Sequence, residues 1–215
     1  MDKIVYIEGE GEIVEKKSRF IGNCYPIKTE EEALSLIEAI RKKHYDARHH
    51  CYAYSIGKTQ PLLRFSDDGE PQGTAGKPIL EIITNANVTD CLIIVTRYFG
   101  GTLLGTGGLV RAYTLAAKEA INDATVVTEA TGLHLLIDSD YQDIGKLQYI
   151  YKENDIDCLD ISYAERVISD LLVKREDEKR ITELITEATN GKSSISKGKN
   201  CSFFKADGKY IVKDE

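Results

Sequence analysis

The sequence predicts an α+β protein built as two domains, and three observations carry that reading. A capping pattern at Thr29 opens a stretch of helical period set among segments of strand character. The apolar run Cys91 to Val95 leads, across five glycines in nine residues, into a second helical stretch. Beyond about residue 130 the pattern becomes a strand–helix–strand rhythm that occurs twice.

Taken in order, Ile4 to Ile27 alternates imperfectly and is interrupted by Gly9, Gly11 and Gly22, which predicts two strands joined by a turn. Thr29 and Glu32 form a capping-box pair, and Ala33, Ile37, Ile40 and His44 recur on one face, so a helix is expected from Thr29 to His44. The tyrosines of His50 to Ile56 give β character to an inner strand with Arg48 and His49 at its mouth. The stretch RFSDDGEPQGTAGKP holds three glycines, two prolines and three carboxylates, which no regular element accommodates. A loop of this length in a compact domain reads as a binding loop. Pro78 restarts the chain as a helix with Ile79, Ile82, Ile83 and Ala86 on one face. The β-branched run Cys91 to Val95 predicts a buried strand. Leu109, Tyr113, Ala116, Ala117 and Ala120 then place a helix from near Gly108 to Asp123.

In the last third, Leu133 to Asp138 reads as a strand, Ser139 with Gln142 as a helix cap, Ile144, Leu147 and Tyr151 as a helix face, and Ile156 to Tyr163 as a strand. The unit repeats: strand from Arg166 to Lys174, helix through Ile181, Leu184, Ile185 and Ala188 closed by Gly191, strand from Ser194 to Phe204. Two successive β-α-β units spell a ferredoxin-like βαββαβ plan. The expected domains are residues 1–130 and 131–215, with the boundary between Glu129 and Gly132.

Composition bounds the function. A chain of 215 residues, 42% hydrophobic, can bury a sizeable core, and no apolar run reaches the length that crosses a bilayer. With no signal or transit pattern at its start, a soluble cytoplasmic protein without membrane contact is expected. Five scattered cysteines without a CxxC pair fit neither a disulfide framework nor a zinc site. A net charge of −7 argues against broad duplex nucleic-acid binding. The local exception is GKSSISKGKNCSFFKADGKYIVK, with six lysines, and lysines there also fit an edge strand guarded against aggregation.

The candidate site lies in the two glycine-rich loops. A glycine loop entering a helix offers unpaired N–H groups to an anion, and Arg97 and Arg111 flank that turn. The candidate binding residues in this second loop are therefore Arg97, Tyr98, Gly100, Gly101, Gly105, Gly107, Gly108 and Arg111. His49 and the first loop add Asp67, Asp68, Gly69, Glu70, Gly73, Thr74, Gly76 and Lys77. Gly76–Lys77 does not complete a phosphate-binding P-loop, because Pro71 and Pro78 stand where that motif needs glycine and a hydroxyl. Asp67, Asp68 and Glu70 offer oxygen ligands to a hard cation, but aspartate before glycine more commonly caps its own turn. Strand alternation separates His50 from His49 and Cys51, no other segment offers an orienting partner for a nucleophile and base, and no hydrolase or dinucleotide motif is present. No cofactor, no metal and no assigned catalytic residue are expected.

Four separated segments, SRFI at Ser18, Asp46–Ala47 with His49 and Cys51, SDDGEPQGTAGKP and TRYFGGTLLGTGGLVRAY, resemble the signature segments of the IMPACT family in its bacterial branch. The resemblance implies a ribosomal-protein-S5 domain 2-like N-terminal domain and a small C-terminal domain similar in plan to one of elongation factor G. It further implies a role in translation. Eukaryotic relatives act there through protein contacts, and for bacterial relatives the implied partners are RNA or the ribosome. A non-enzymatic RNA or ribosome binder is the leading expectation. The rivals are an enzyme or binder for a small phosphorylated metabolite or nucleotide, and a protein-binding regulator without nucleic acid.

Overall fold

The computed structural model describes residues 2–206 and 209–214; Asp207 and Gly208 of the lysine-rich stretch lie outside them. The chain is a two-domain α+β protein whose two compact units are Asp2–Thr128 and, from Glu129, the remainder. Among the described residues no helix is long and apolar enough to cross a membrane.

In the first unit, β2 (Gly9–Glu15), β3 (Ser18–Pro26), β7 (Cys91–Tyr98), β4 (His49–Ile56) and β5 (Leu62–Ser66) form an antiparallel sheet in that order. A short parallel pair joins β1 (Asp2–Ile7) to β6 (Val88–Thr89). Helices α2 (Gly76–Asn85) and α3 (Gly105–Asp123) cover one face of the sheet and α1 (Glu30–Lys43) the other. This explains why β7 is apolar at successive positions. Cys91, Ile93 and Val95 pack under α2 and α3, while Leu92 and Ile94 pack under α1, so neither face meets water.

Thr29 caps α1, its Oγ1 accepting from the Glu32 amide at 3.2 Å, while the Glu32 carboxylate reaches back one residue further, to the Lys28 amide at 2.6 Å. The N-terminal segment corrects the sequence reading. It contains three strands, and the turn between β2 and β3 falls at Lys16 and Lys17, both at positive φ. Gly9, Gly11 and Gly22 do not break strands; they let the backbone of α3 lie against the sheet. A Cβ on Gly22 would stand 2.4 Å from the Ala116 carbonyl oxygen.

In the second unit the strands are β8 (Thr125–Ser139, from Glu129 onward), β9 (Asp157–Tyr163), β10 (Val167–Lys174), β11 (Ser194–Ala206) and β12 (Lys209–Asp214). They pair antiparallel in the order β9-β10-β8-β11-β12. Helices α4 (Ile144–Glu153) and α5 (Glu178–Ala188) bury Leu147, Tyr151, Ile181 and Ile185 against Leu133, Leu135, Ile137, Leu171 and Val173. The Ser139–Gln142 cap is not formed: Ser139 Oγ donates to the Val167 carbonyl, and a 3-10 turn at Tyr141–Asp143 opens α4 instead. Strand β12, a hairpin partner of β11, was not foreseen from the sequence.

Candidate functional site

The site begins with β-sheet register. In the antiparallel β4–β7 pair His49 stands opposite Arg97, so both side chains leave the same face of the sheet, toward α2 and α3. Neighbours in the strand point the other way. His50 turns to the opposite face and meets Thr96 Oγ1 at 3.3 Å, and burial pulls its pKa below the ordinary imidazole value. Tyr98 likewise points away from His49 and Arg97, its hydroxyl donating to Asp46 at 3.2 Å and lying 2.9 Å from His44 Nδ1. Tyr98 is therefore not part of the constellation assembled around Arg97.

The loop between β5 and α2 is held from within by Asp67. Its Oδ2 accepts from the Gly73 amide at 2.8 Å, and its Oδ1 accepts from the Ala75 amide at 3.0 Å and the Gly76 amide at 2.8 Å. Helix α2 has no capping side chain of its own at Ala75, so Asp67 supplies both the acceptor and the negative charge that its N-terminus lacks. Asp68 sits at φ 43°, accepting from the His50 amide at 2.6 Å and from Arg41 at 2.9 Å. Thr74 is buried, with its hydroxyl on the Pro71 carbonyl at 2.6 Å. These carboxylates are spent on protein donors, which removes the reading of Asp67 and Asp68 as cation ligands. Among the described residues no group of three or more His, Cys, Asp or Glu is placed to hold a metal.

What this loop delivers is Glu70. Its side chain is 4% exposed, and Oε1 accepts from Arg97 Nη1 at 2.5 Å and from the Tyr113 hydroxyl at 2.8 Å. Arg97, 6% exposed, lies over the rings of Phe20 and Phe99 at 5.4 and 5.6 Å. Its Nε is buried without a partner. The Arg97 charge is therefore already matched, which corrects the expectation of a pair of free guanidinium groups. Burial pushes the Tyr113 hydroxyl and the Cys51 thiol well above their usual values, so Cys51, donating to the Asp67 carbonyl at 3.0 Å, is a packed thiol and not a nucleophile.

His49 is oriented by the same loop. Its Nδ1 lies 2.8 Å from the Asp68 carbonyl oxygen, which only accepts, so Nδ1 carries a proton. Nε2 is left on the other side of the ring, 3.9 Å from Glu70 Oε1. Gly69, at φ 85°, passes against this ring.

Around these groups lies a cleft of about 340 Å³, lined by Arg48, His49, Glu70, Pro71, Arg97, Phe99, Leu103, Leu104, Gly105, Thr106 and Leu109. Glu70 and Arg97 form its buried floor, while Arg48, Leu103, Gly105 and Thr106 stand exposed at its rim. Helix α3 starts at Gly105, three residues earlier than its apolar period suggests, and its first turn has no side-chain cap. A Cβ at Gly105 or Gly107 would meet nothing, so this N-terminus is open to an incoming group.

Of the residues singled out from sequence, the structure brings His49, Glu70, Arg97 and Gly105 to the cleft. Gly100 does backbone work, its amide donating to Ser18 Oγ at 3.1 Å where any Cβ would strike Lys17. Gly73 and Gly76 serve Asp67. Gly101, Lys77 and Arg111 are exposed and Gly108 half-buried, and none of the four lines the cleft. Phe99, Leu103 and Leu104 were missed; apolar residues interrupting a glycine loop were the signal that could have found them.

Fold and site together define a two-domain α+β protein whose first domain carries a loop-built cleft at the head of a long helix. The chain belongs to the IMPACT family. Residues 16–121 match the Impact N-terminal domain, which contains every residue lining the cleft, and residues 137–192 match a domain of unknown function, DUF1949. IMPACT family member YvyE of Bacillus subtilis (strain 168) is 40% identical over 190 residues, 88% of either chain. IMPACT family member YigZ of Escherichia coli (strain K12) is 36% identical over 155 residues, 71% of this chain and 76% of that one. A solved crystal structure of a hypothetical protein, 30% identical, superposes with a TM-score of 0.59 over 91% of this chain and 97% of its own.

Proposed function

We propose that the protein is a non-enzymatic, cytoplasmic component of translation control that binds RNA or the ribosome through the cleft of its first unit. The same reading assigns the first unit to the ribosomal-protein-S5 domain 2-like fold and the second to the ferredoxin-like plan. For the second, the order β9-β10-β8-β11, with α4 and α5 as its crossovers, is the supporting observation.

The observation that carries the function is the rim of the cleft. There the uncapped first turn of α3 stands beside the exposed Arg48, so main-chain donors, the positive helix end and a guanidinium converge where a phosphate can reach them. Ribosome and tRNA binding across a salt series tests it. Retention at low salt that fades as salt rises is expected; no retention at low salt, or retention indifferent to salt, contradicts phosphate contacts.

A second reading, a small phosphorylated metabolite or nucleotide, draws on the size of the cleft, which lies at the lower end of small-ligand sites. Thermal-shift measurements with nucleotides separate the two, since a specific ligand raises the apparent stability by mass action. Added magnesium is expected to change nothing, because Asp67 and Asp68 are already engaged.

A further inference from the structure

The contacts of Glu70 have a feature that an anion site does not use. All its protein contacts fall on one oxygen: Arg97 Nη1, Tyr113 Oη and His49 Nε2 all address Oε1. Oε2 has no hydrogen-bond donor among the described residues, although the side chain is 96% buried and lines the cleft. Oε2 stays reachable from the cleft, since Arg97 Nε and not this oxygen is buried without a partner, and a ligand N–H can take the place of water there. The unmet buried group beside it is Arg97 Nε. The charge of Glu70 is balanced by Arg97, so the floor does not repel an anionic ligand; it asks for a neutral donor.

The rest of the cleft is ordered by depth. Above the polar floor come the apolar side chains of the buried Leu109 and the half-buried Leu104. Phe99, 42% exposed, and Leu103, 83% exposed, stand at the opening with Arg48 and the first turn of α3. A guest that fits this gradient has a planar apolar body, an N–H at its inner end and an anion at its outer end. An unpaired nucleotide has that layout, and its phosphate at the rim leaves the chain free to continue outside.

We propose that the cleft accepts one unpaired, amino-bearing base of single-stranded RNA. The base lies against Phe99 and Leu103 and its exocyclic amine donates to Glu70 Oε2, while the phosphate stays with Arg48 and the amides of Gly105 and Thr106. This rests on the RNA-binding reading and specifies how the nucleic acid is held. Splayed bases stacked on aromatic side chains are the usual currency of single-strand recognition, and carboxylates accept from the N4 amine of cytosine. Uracil places a carbonyl acceptor at that position and faces the carboxylate with a repulsive contact.

Fluorescence anisotropy of end-labelled oligocytidine and oligouridine tests the proposal on the intact protein. Binding of oligocytidine at least about five-fold tighter is expected, with the preference lost in Glu70→Gln, whose amide presents a donor as readily as an acceptor. Should Glu70→Gln fail to fold, a fluorescent purine analogue placed in the strand reports stacking directly. Quenching by the wild-type protein, much reduced by Phe99→Ala, supports insertion; an unquenched signal overturns it. Equal, salt-sensitive binding of both oligonucleotides overturns base insertion and leaves the RNA reading standing. Absence of binding to either overturns both. Free cytidine monophosphate binding as tightly as the oligonucleotide would make a free nucleotide, not RNA, the ligand.

Discussion

At the scale of the residue, the cleft depends on charges that are satisfied before any partner arrives. Glu70 and Arg97 are a desolvated pair, and removing one member leaves the other charged and buried. Glu70→Ala is expected to lower stability by about 3–5 kcal/mol in urea unfolding, and a loss under about 1 kcal/mol would show that the pair is not buried as described. Asp67→Ala removes the acceptor of three amides and is expected to cost at least about 2 kcal/mol while loosening the loop. His50 gives a pH prediction. Burial lowers its folded-state pKa, so the unfolded chain binds the proton more readily, and stability must fall as pH drops below about 6.5. His50→Gln should flatten that part of the unfolding profile. Strand alternation separates Arg97 from Tyr98, but the apolar run predicts a strand only from Cys91 to Val95, so both fall within the candidate site read from sequence. The pairing of Arg97 with Glu70 was not legible, because it depends on the register of β4 with β7 and on the path of a loop that no periodicity encodes.

At the scale of the element, α3 is placed by small residues on both sides of its contact with the sheet. Ala116 and Ala120 face Gly22, and a Cβ at Gly22 would overlap the Ala116 carbonyl. Gly22→Ala is therefore expected to destabilise by about 1–3 kcal/mol in thermal or urea unfolding. Gly107→Ala is the contrast. Nothing lies within 4 Å of its added Cβ, and as a helical position it should become more stable by about 0.5–1 kcal/mol. Opposite signs for a glycine within α3 and a glycine of the strand beneath it are hard to obtain unless α3 lies where described. The two helices of the second unit were readable because each buries a single face and so keeps a clean period. The three N-terminal strands were misread because their glycines answer to the helix packed above them, a tertiary demand with no local signature.

For the whole molecule, the net charge of −7 limits how RNA can be held. A broad electrostatic footprint would give a steep salt dependence, whereas a rim consisting of Arg48 and one helix end engages a phosphate or two. The logarithmic slope of affinity against salt for single strands is thus expected to have a magnitude of about 0.7–1.4, and a slope near 5 or beyond would require a larger basic surface elsewhere. The lysine-rich β11 and β12 of the second unit are where such a surface would lie. Heteronuclear NMR of the full chain titrated with single-stranded RNA decides between the two most directly. The account predicts that the amides of Phe99, Gly105, Thr106 and Gly107 move with saturating dependence on RNA while those of β11 and β12 stay in place. Movement confined to β11 and β12, with the head of α3 unaffected, would contradict it.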